Sequence, residues 1–352
     1  MARASASSLP PPAGSPFHPS ALRVAVVQGG PSSEAEVSRV SAGAVAAALT
    51  RKGHDVTRLE CDQSLPARLL EGRFDVVFPV VHGAIGEDGA LQGLLELLAL
   101  PYVGAGVLAS ALANDKVQAK VCYRAAGLPV IPELVLPRES ASVEAHAIAV
   151  IAALGSSVVV KPATQGSGLG VGILRSLAGA SDPRLLEALQ KAFALDAKVL
   201  VERFAAGREI TCGVLDAHGE PAVALPPTEI EATAADWYDF QSRYGSGGSR
   251  HFCPARLHPT TIARVQEVAL AAHRALGCRD LSRSDFVVGP GEADAEVFLL
   301  ETNTMPGMTA TSLYPEAAGV HGVPFPELVD RFARGAKARG VAQRNAAEPF
   351  PA

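Results

Sequence analysis

Strand-like and helix-like segments alternate along residues 22–103, and this alternation limits the possible folds more than any other feature of the sequence. Residues 22–28 and 56–59 predict strands, and residues 36–52 predict a helix that ends before Gly53. Residues 76–81 are almost all apolar, as expected for a strand that is buried on both faces. The pattern is typical of an α/β fold with a doubly wound parallel sheet.

Composition excludes several functional classes. The chain has 31 Lys and Arg against 36 Asp and Glu, a net charge of −5, which disfavours a basic nucleic-acid-binding surface. No apolar run has the length needed to span a membrane. The five cysteines form no CxxC pair, which argues against a zinc site and for a reducing compartment. Residues 1–20 are rich in Ala, Ser and Pro and lack the apolar core of a signal peptide, so they predict a disordered leader.

A glycine-rich segment, KPATQGSGLGVG, runs from Lys161 to Gly172 between two predicted strands. It is not a Walker A loop, because no GK[ST] closes it, and it is not a dinucleotide fingerprint, because a strand follows it. A glycine hairpin can bring backbone N–H groups close to phosphates, and Lys161 would add a positive charge. A plain tight turn is the alternative interpretation.

Acidic residues mark the open end of a predicted hairpin near the C-terminus. A turn at residues 289–295 would place Asp285 opposite Glu301, with Asn303 one step further along the same face. Two carboxylates and an amide oxygen suit Mg²⁺, and a solvated hairpin edge is the alternative. Arg283 shares the face of Asp285, where it would either stabilise developing charge or pair with one of these acids.

Polar residues also follow two predicted strands of the N-terminal sheet. Ser33 and Glu36 match a capping box, whereas Glu34 would either hold an ammonium group or stabilise the helix dipole. His82 ends a buried strand and precedes a glycine, and no structural role is evident for it. Glu87 suits the start of the next helix.

Nine motifs together resemble those of the D-alanine–D-alanine ligase family of the ATP-grasp superfamily. They occur in the family's order between about residues 22 and 335: GGPSSEAEVS, HGAIGEDGALQG, PYVGAGVLASALANDK, VVVKPATQGSGLGV, VERFAAGREIT, YDFQSRY, FCPA, SRSDF and LLETNTMPGMTATSLYP. The resemblance implies that ATP phosphorylates the carboxylate of a first D-alanine. The amine of a second D-alanine would then attack the acylphosphate and release phosphate.

The resemblance also implies a role for each matching residue. Catalytic roles would fall on Glu34, Ser167, Tyr244, Arg283 and the N–H of Gly307. The amino-acid substrates would be held by Glu34, His82, Ser312 and Leu313. ATP would be bound by Lys116, Lys161, Gly166, Ser167, Gly168, Glu202, Arg203, Phe204, Glu209 and Arg243. Two Mg²⁺ or Mn²⁺ would be bound by Asp285, Glu301 and Asn303.

The same resemblance implies a domain order, in which a pre-ATP-grasp domain with a doubly wound parallel sheet precedes a two-lobed ATP-grasp fold. The expected segments are a leader at 1–20, a substrate-binding domain at 21–112, a central lobe at 113–205, a catalytic lobe at 206–338 and a loose tail at 339–352. Residues 232–251 lack periodicity and would form a mobile loop that closes over the site.

Four positions depart from the family pattern, namely Ala35, Gly168, Arg203 and Arg243. They leave open a paralogue that joins D-alanine to D-serine or D-lactate or makes another dipeptide, and a nucleotide-binding regulator without catalysis. The leading expectation is a cytoplasmic ligase of peptidoglycan precursor synthesis that acts on D-alanine and ATP. It would bind neither nucleic acid nor membrane, and it would form a homodimer by analogy with the family.

Overall fold

The computed structural model describes residues 21–232, 248–309 and 312–341. Three sheets organise the described residues: a parallel sheet of three strands, an antiparallel sheet of four strands and an antiparallel sheet of six strands. Among these residues, no helix combines the length and the apolar composition needed to cross a membrane.

The N-terminal part is an α/β layer whose strands lie in the order β2-β1-β3 and are all parallel. Its elements and the two helices that follow are β1 (Arg23–Gln28), α1 (Ala35–Arg51), β2 (Asp55–Glu60), α2 (Leu65–Gly72), β3 (Val76–Pro79), α3 (Ala90–Leu97), α4 (Val107–Asn114) and α5 (Lys116–Ala125). A parallel bridge from Val77 to Tyr102 widens the sheet. Helix α1 packs on one face, and α2 and α3 pack on the other. The predicted doubly wound parallel sheet is thus confirmed.

The start of α1 differs from the predicted capping box. Glu34 occupies the N-cap position, and its side chain makes no capping hydrogen bond to the helix. The hydroxyl of Ser32 accepts the Glu34 N–H at 3.2 Å, while the Glu36 carboxylate lies 3.0 Å from Arg39 in an exposed ion pair. Ser33 and Glu36 therefore do not form a capping box, because Ser32 supplies the hydroxyl and Arg39 takes the carboxylate.

The central part is built around an antiparallel sheet in the order β4-β7-β5-β6. Its elements are β4 (Glu133–Pro137), α6 (Val143–Leu154), β5 (Val158–Pro162), β6 (Gly172–Leu174), α7 (Pro183–Leu195) and β7 (Lys198–Arg203), with a 3₁₀ turn at Arg138–Ser140. Helices α6 and α7 cover one face and share one apolar core. The sequence predicts neither β4 nor α6, and α6 is apolar on nearly every side, so it lacks the periodic contrast that marks a surface helix.

The C-terminal part holds the six-stranded sheet in the order β11-β10-β8-β12-β13, with β9 beside β8. Its elements are β8 (Arg208–Asp216), β9 (Val223–Ala224), β10 (Thr228–Ala232), β11 (Ser249–Phe252), α8 (Pro259–Leu276), β12 (Asp280–Val288), β13 (Val297–Asn303), α9 (Leu313–Val320) and α10 (Phe325–Arg339). The segment predicted as a mobile loop thus ends in a strand, because β11 pairs with β10. Residues 233–247 of that segment lie outside the described residues.

Two helices cross between these layers. Helix α5 packs its Ala119 and Tyr123 into the core of the six-stranded sheet, although the sequence assigns residues 113–205 to the central lobe. Helix α10 returns to the parallel sheet and packs against α1. Its last residue, Arg339, donates to Asp280 Oδ2 at 2.9 Å and to the Tyr102 carbonyl at 2.8 Å. Residue 339 therefore belongs to the fold rather than to a loose tail.

The ion pair between Arg339 and Asp280 provides a test of how α10 is anchored to the fold. Asp280 is 2% exposed at its side chain, so Arg339→Ala would leave a buried carboxylate without its cation. We expect the free energy of unfolding in urea to fall by about 3 kcal/mol. Lys337→Ala is the matched control, because Lys337 lies on the same turn of the helix as Arg339 and forms a more exposed ion pair with Asp75. Its loss should cost less than about 1 kcal/mol. Equal losses of unfolding free energy in the two variants would contradict a stabilising role for the Arg339–Asp280 ion pair.

Candidate functional site

One cavity of about 600 Å³ lies where the three sheets meet. It brings together many of the residues that the sequence singles out, and those that line it are Glu34, His82, Lys116, Gly166, Ser167, Arg283, Glu301, Asn303, Gly307, Ser312 and Leu313. Tyr244 and Arg243 lie outside the described residues. The remaining candidates do not line the cavity, and they are Lys161, Gly168, Glu202, Arg203, Phe204, Glu209 and Asp285.

The hairpin of β12 and β13 carries the acids as the sequence predicts. Asp285 pairs with Glu301, and Arg283 pairs with Asn303. A bulge between Asp285 and Phe286 shifts the register by one residue. On the open side of this bulge, Asp285 lies opposite Glu301, which is the predicted pairing. Two directly opposed carboxylates repel one another unless cations lie between or beside them.

Each of these acids has a cationic neighbour. The Arg283 guanidinium donates to both oxygens of Asp285 at 2.9 Å, and the hydroxyl of Thr211 donates to Asp285 at 2.6 Å. The Lys116 ammonium lies 3.4 Å from Glu301. Of the two roles that the sequence leaves open for Arg283, the structure thus shows an ion pair with Asp285. The donor set of two carboxylates and the amide of Asn303 is one that suits Mg²⁺ or Mn²⁺.

The glycine-rich segment lies between β5 and β6 and reaches the N-terminal sheet. Ser167 adopts a left-handed conformation (φ 52°) and donates its hydroxyl to the Glu34 carboxylate. Gly83 also approaches Glu34, since a Cβ at Gly83 would lie 3.1 Å from a Glu34 oxygen, and its φ of 72° favours glycine. The contact between Ser167 and Glu34 therefore closes one wall of the cavity from two distant parts of the chain.

The buried His82 and the half-buried Glu87 lie beside that wall and line the cavity. Burial lowers the pKa of His82, and its Nε2 has no hydrogen-bond partner among the described residues. The Glu87 carboxylate accepts the Gly83 N–H at 2.5 Å. Burial first, and the charge of Glu34 second, raise the pKa of Glu87 to about 8. The sequence assigns Glu87 only to a helix start, because its burial depends on the surrounding fold.

Behind the cavity, Glu202 holds two lysines. Its carboxylate contacts Lys161 and lies 2.5 Å from the ammonium of Lys120, and its side chain is 1% exposed. Burial acts to raise the pKa of Glu202, but Lys161 and Lys120 outweigh it and lower the pKa to about 2. The sequence does not single out Lys120. The available signal is its position four residues after Lys116, on the same face of α5 as the buried Tyr123.

The other candidates for nucleotide binding lie at strand ends. Arg203 ends β7 and pairs through its backbone with Pro132, and the ring of Phe204 lies 4.5 Å below the Arg175 guanidinium. Glu209 lies in β8 opposite Val287. Gly168 follows Ser167 with a φ of 73°.

The loop after β13 completes the cavity. Asn303 accepts the Met305 N–H through its amide oxygen at 2.8 Å. Ser312 is the N-cap residue of α9, and its hydroxyl accepts the Thr309 N–H at 3.1 Å. A Cβ at Gly307 would lie 3.0 Å from the Ser312 hydroxyl, so the two residues are close neighbours. His251, which the sequence also misses, lines the cavity and lies 3.1 Å from Glu316.

Two family models match the chain. Residues 122–334, more than half of its length, match the model of the D-ala D-ala ligase C-terminus, and residues 59–105 match the model of the D-ala D-ala ligase N-terminus.

The chain belongs to the D-alanine–D-alanine ligase family.

Relatives and solved structures of this family align with almost the whole chain. The D-alanine–D-alanine ligase of Parvibaculum lavamentivorans is 46% identical over 312 residues, which are 88% of this chain and 96% of that protein. The ligase of an Anaeromyxobacter species is 42% identical over 89% of this chain and 96% of its own.

The fold agrees equally well. The Bacillus anthracis D-alanine–D-alanine ligase complexed with ATP superposes with a TM-score of 0.75 at 27% identity, and it covers 91% of this chain and 98% of its own. The Coxiella burnetii enzyme gives 0.74 at 30% identity, with 90% and 96% covered. The family resemblance and the predicted fold class, a parallel-sheet domain followed by an ATP-grasp fold, are therefore confirmed.

The raised pKa of the Glu87 carboxyl predicts how stability depends on pH. The folded chain keeps this group protonated up to about pH 8, whereas a glutamate of ordinary pKa 4.5 ionises well below that. The folded state thus binds the extra proton between these values, so the stability that the group contributes falls as pH rises through that window. We expect the melting temperature of the wild type to drop more between about pH 5 and about pH 7.5 than that of Glu87→Gln.

The control for this experiment is Glu71→Gln, which changes an exposed glutamate on α2. Thermal denaturation of the three proteins across that range measures the effect. An equal drop in melting temperature over this pH range for the wild type and Glu87→Gln would mean that Glu87 is ionised in the folded chain.

Proposed function

We propose that the protein is an ATP-dependent ligase that joins two D-alanines into D-alanyl-D-alanine for peptidoglycan precursors. The observation that carries the proposal is the gathering in one cavity of the Glu34 carboxylate, the cations of Lys116 and Arg283, and the oxygen donors of Glu301 and Asn303. Family membership supports the same reaction. The expected course is phosphorylation of the first D-alanine carboxylate by ATP, attack of the second amine on the acylphosphate, and loss of phosphate.

The first D-alanine would lie against the wall formed by Glu34 and Ser167. The Glu34 carboxylate would bind its ammonium group, and the hydroxyl of Ser167 would hold Glu34 in place. The neutral His82 would lie near the substrate carboxyl. Its Nε2 is buried and has no hydrogen-bond partner in the part of the chain that the structure describes, which costs free energy that a substrate hydrogen bond would recover.

ATP would place its phosphates between the glycine-rich segment and the hairpin. Lys116 and Lys161 would contact the phosphates, together with backbone N–H groups of residues 166–168. Asp285, Glu301 and Asn303 would hold two Mg²⁺ or Mn²⁺. When bound, these ions would neutralise the charge on the transferred phosphoryl group. Glu202, Arg203, Phe204, Glu209 and Arg243 would contribute to binding of the nucleoside.

The second D-alanine would bind at the N-terminus of α9. The hydroxyl of Ser312 would receive its carboxylate, and Leu313 would shape the pocket around its methyl group. Arg283 and the Gly307 N–H would stabilise the oxyanion that forms when the amine attacks. Tyr244 would join the group of Glu34 and Ser167.

The proposal includes a cellular setting and an assembly. We place the protein in the cytoplasm and expect a homodimer, as in the family. The division into a substrate-binding domain at 21–112 and two lobes at 113–205 and 206–338 stays a prediction, as does a loop that closes over the site.

Release of phosphate from ATP tests the proposed reaction. Purified protein with ATP and Mg²⁺ should release phosphate with D-alanine alone, and mass spectrometry should identify D-alanyl-D-alanine. The same assay includes L-alanine, D-serine and D-lactate as single and paired substrates. Release only with a mixed pair would reassign the protein to a paralogous ligase. Clear ATP binding without release with any pair would favour a regulator.

Substitution of Asp285 tests the metal site. Asp285→Asn keeps the size of the side chain but removes one of the two carboxylate charges that would hold the metal ions. Turnover should therefore fall by about 100-fold or more. Asp294→Asn lies in the turn of the same hairpin and is exposed, so it serves as a control that should keep turnover within about twofold. A change in ATP affinity alone, with turnover intact, would exclude a metal role for Asp285.

A further inference from the structure

Two acidic side chains oppose each other inside the four-stranded sheet. Glu133 of β4 pairs directly with Glu202 of β7, and their side chains are only 6% and 1% exposed. Like charges directly opposed on neighbouring strands are destabilising, and burial increases the cost. The ammonium of Lys120 compensates for both, since it lies 3.3 Å from Glu133 and 2.5 Å from Glu202.

The helix that carries Lys120 is anchored elsewhere. Tyr123, one turn along α5, donates its hydroxyl to Thr302 at 2.8 Å and is completely buried. Thr302 lies in β13 between Glu301 and Asn303, which are two of the residues assigned to the metal ions. One turn of α5 therefore contacts both antiparallel sheets. Tyr123 binds β13 of the six-stranded sheet, and Lys120 binds the acids of the four-stranded sheet.

Glu202 links Lys120 to the phosphate-binding lysine. One carboxylate oxygen lies at Lys120, and the other contacts Lys161 of β5. Each lysine thus pairs with one oxygen of the same carboxylate, so the position of the Glu202 side chain depends on both lysines. Without Lys120, Arg124 would remain at Glu133, and of the two lysines Lys161 alone would remain at Glu202, so the Glu202 carboxylate and the Lys161 ammonium would shift from their present positions.

We propose that Lys120 is a positioning residue for nucleotide binding: by holding Glu202 from a helix anchored on β13, it sets where Lys161 lies relative to Glu301 and Asn303. This inference rests on the proposed function for the identity of the nucleotide. It adds a residue that contacts neither the cavity nor a substrate, yet links the two sheets between which the phosphates would bind.

Direct binding of ADP with Mg²⁺, measured by titration calorimetry, tests this role without requiring turnover. Lys120→Met keeps the length of the side chain and removes the charge, and the dissociation constant of ADP should rise about tenfold. Lys120→Arg keeps the charge and should recover most of the affinity. Arg124→Gln is the matched control, because Arg124 also pairs with Glu133 but from the exposed side of the helix.

A double variant separates positioning from simple charge compensation. Lys120→Met combined with Glu133→Gln removes the opposed carboxylate together with its cation, so it should fold even if Lys120→Met alone does not. Positioning by Lys120 predicts that the double variant still binds ADP about tenfold more weakly than the wild type, with an unchanged KM for D-alanine. Wild-type affinity in the double variant would overturn the proposal. Absence of ADP binding by the wild type would instead contradict the proposed function.

Discussion

The site depends on one strand, β12, which pairs with β8 along its whole length and with β13 from Arg283 to Val288. Buried backbone groups must be paired, so this double ladder leaves the strand no freedom to shift. Alternate residues then point to opposite sides. Ser282 and Ser284 are fully buried, while Arg283 and Asp285 are partly exposed on the other side. The same strand begins at Asp280, which binds Arg339 at the end of the last helix.

Charge compensation is the second constraint on the site. Arg283 pairs with Asp285, Lys116 lies beside Glu301, and Glu202 holds Lys161 and Lys120. An uncompensated buried charge costs several kcal/mol, so the acids and bases around the cavity pair with one another. This explains how one cavity can accommodate a high density of opposite charges and still fold.

Sequence patterns predicted those features that depend on short stretches of chain. The pairing of Asp285 with Glu301 follows from counting residues across one turn, although a bulge contributes to the final register. The parallel sheet follows from the alternation of apolar strands and helices. Local reasoning was wrong at the start of α1, where the choice between neighbouring hydroxyls depends on His82, whose carbonyl accepts from Ser32. It also placed residue 339 in the loose tail, although Arg339 belongs to the last helix and is held by Asp280 and Tyr102, which are far away in sequence.

The sequence by itself determined the family, the order of the sheets and the identity of several polar residues in the cavity, because each depends on motifs or periodicities within a few tens of residues. Only the tertiary structure decided which distant side chains share a charge or lose their water. Glu87 is an ordinary helix-start residue until burial beside Glu34 raises its pKa, and Lys120 is an ordinary helix lysine until α5 brings it between Glu133 and Glu202. Burial and long-range electrostatics arise from the packing of all three sheets, and no local pattern encodes them.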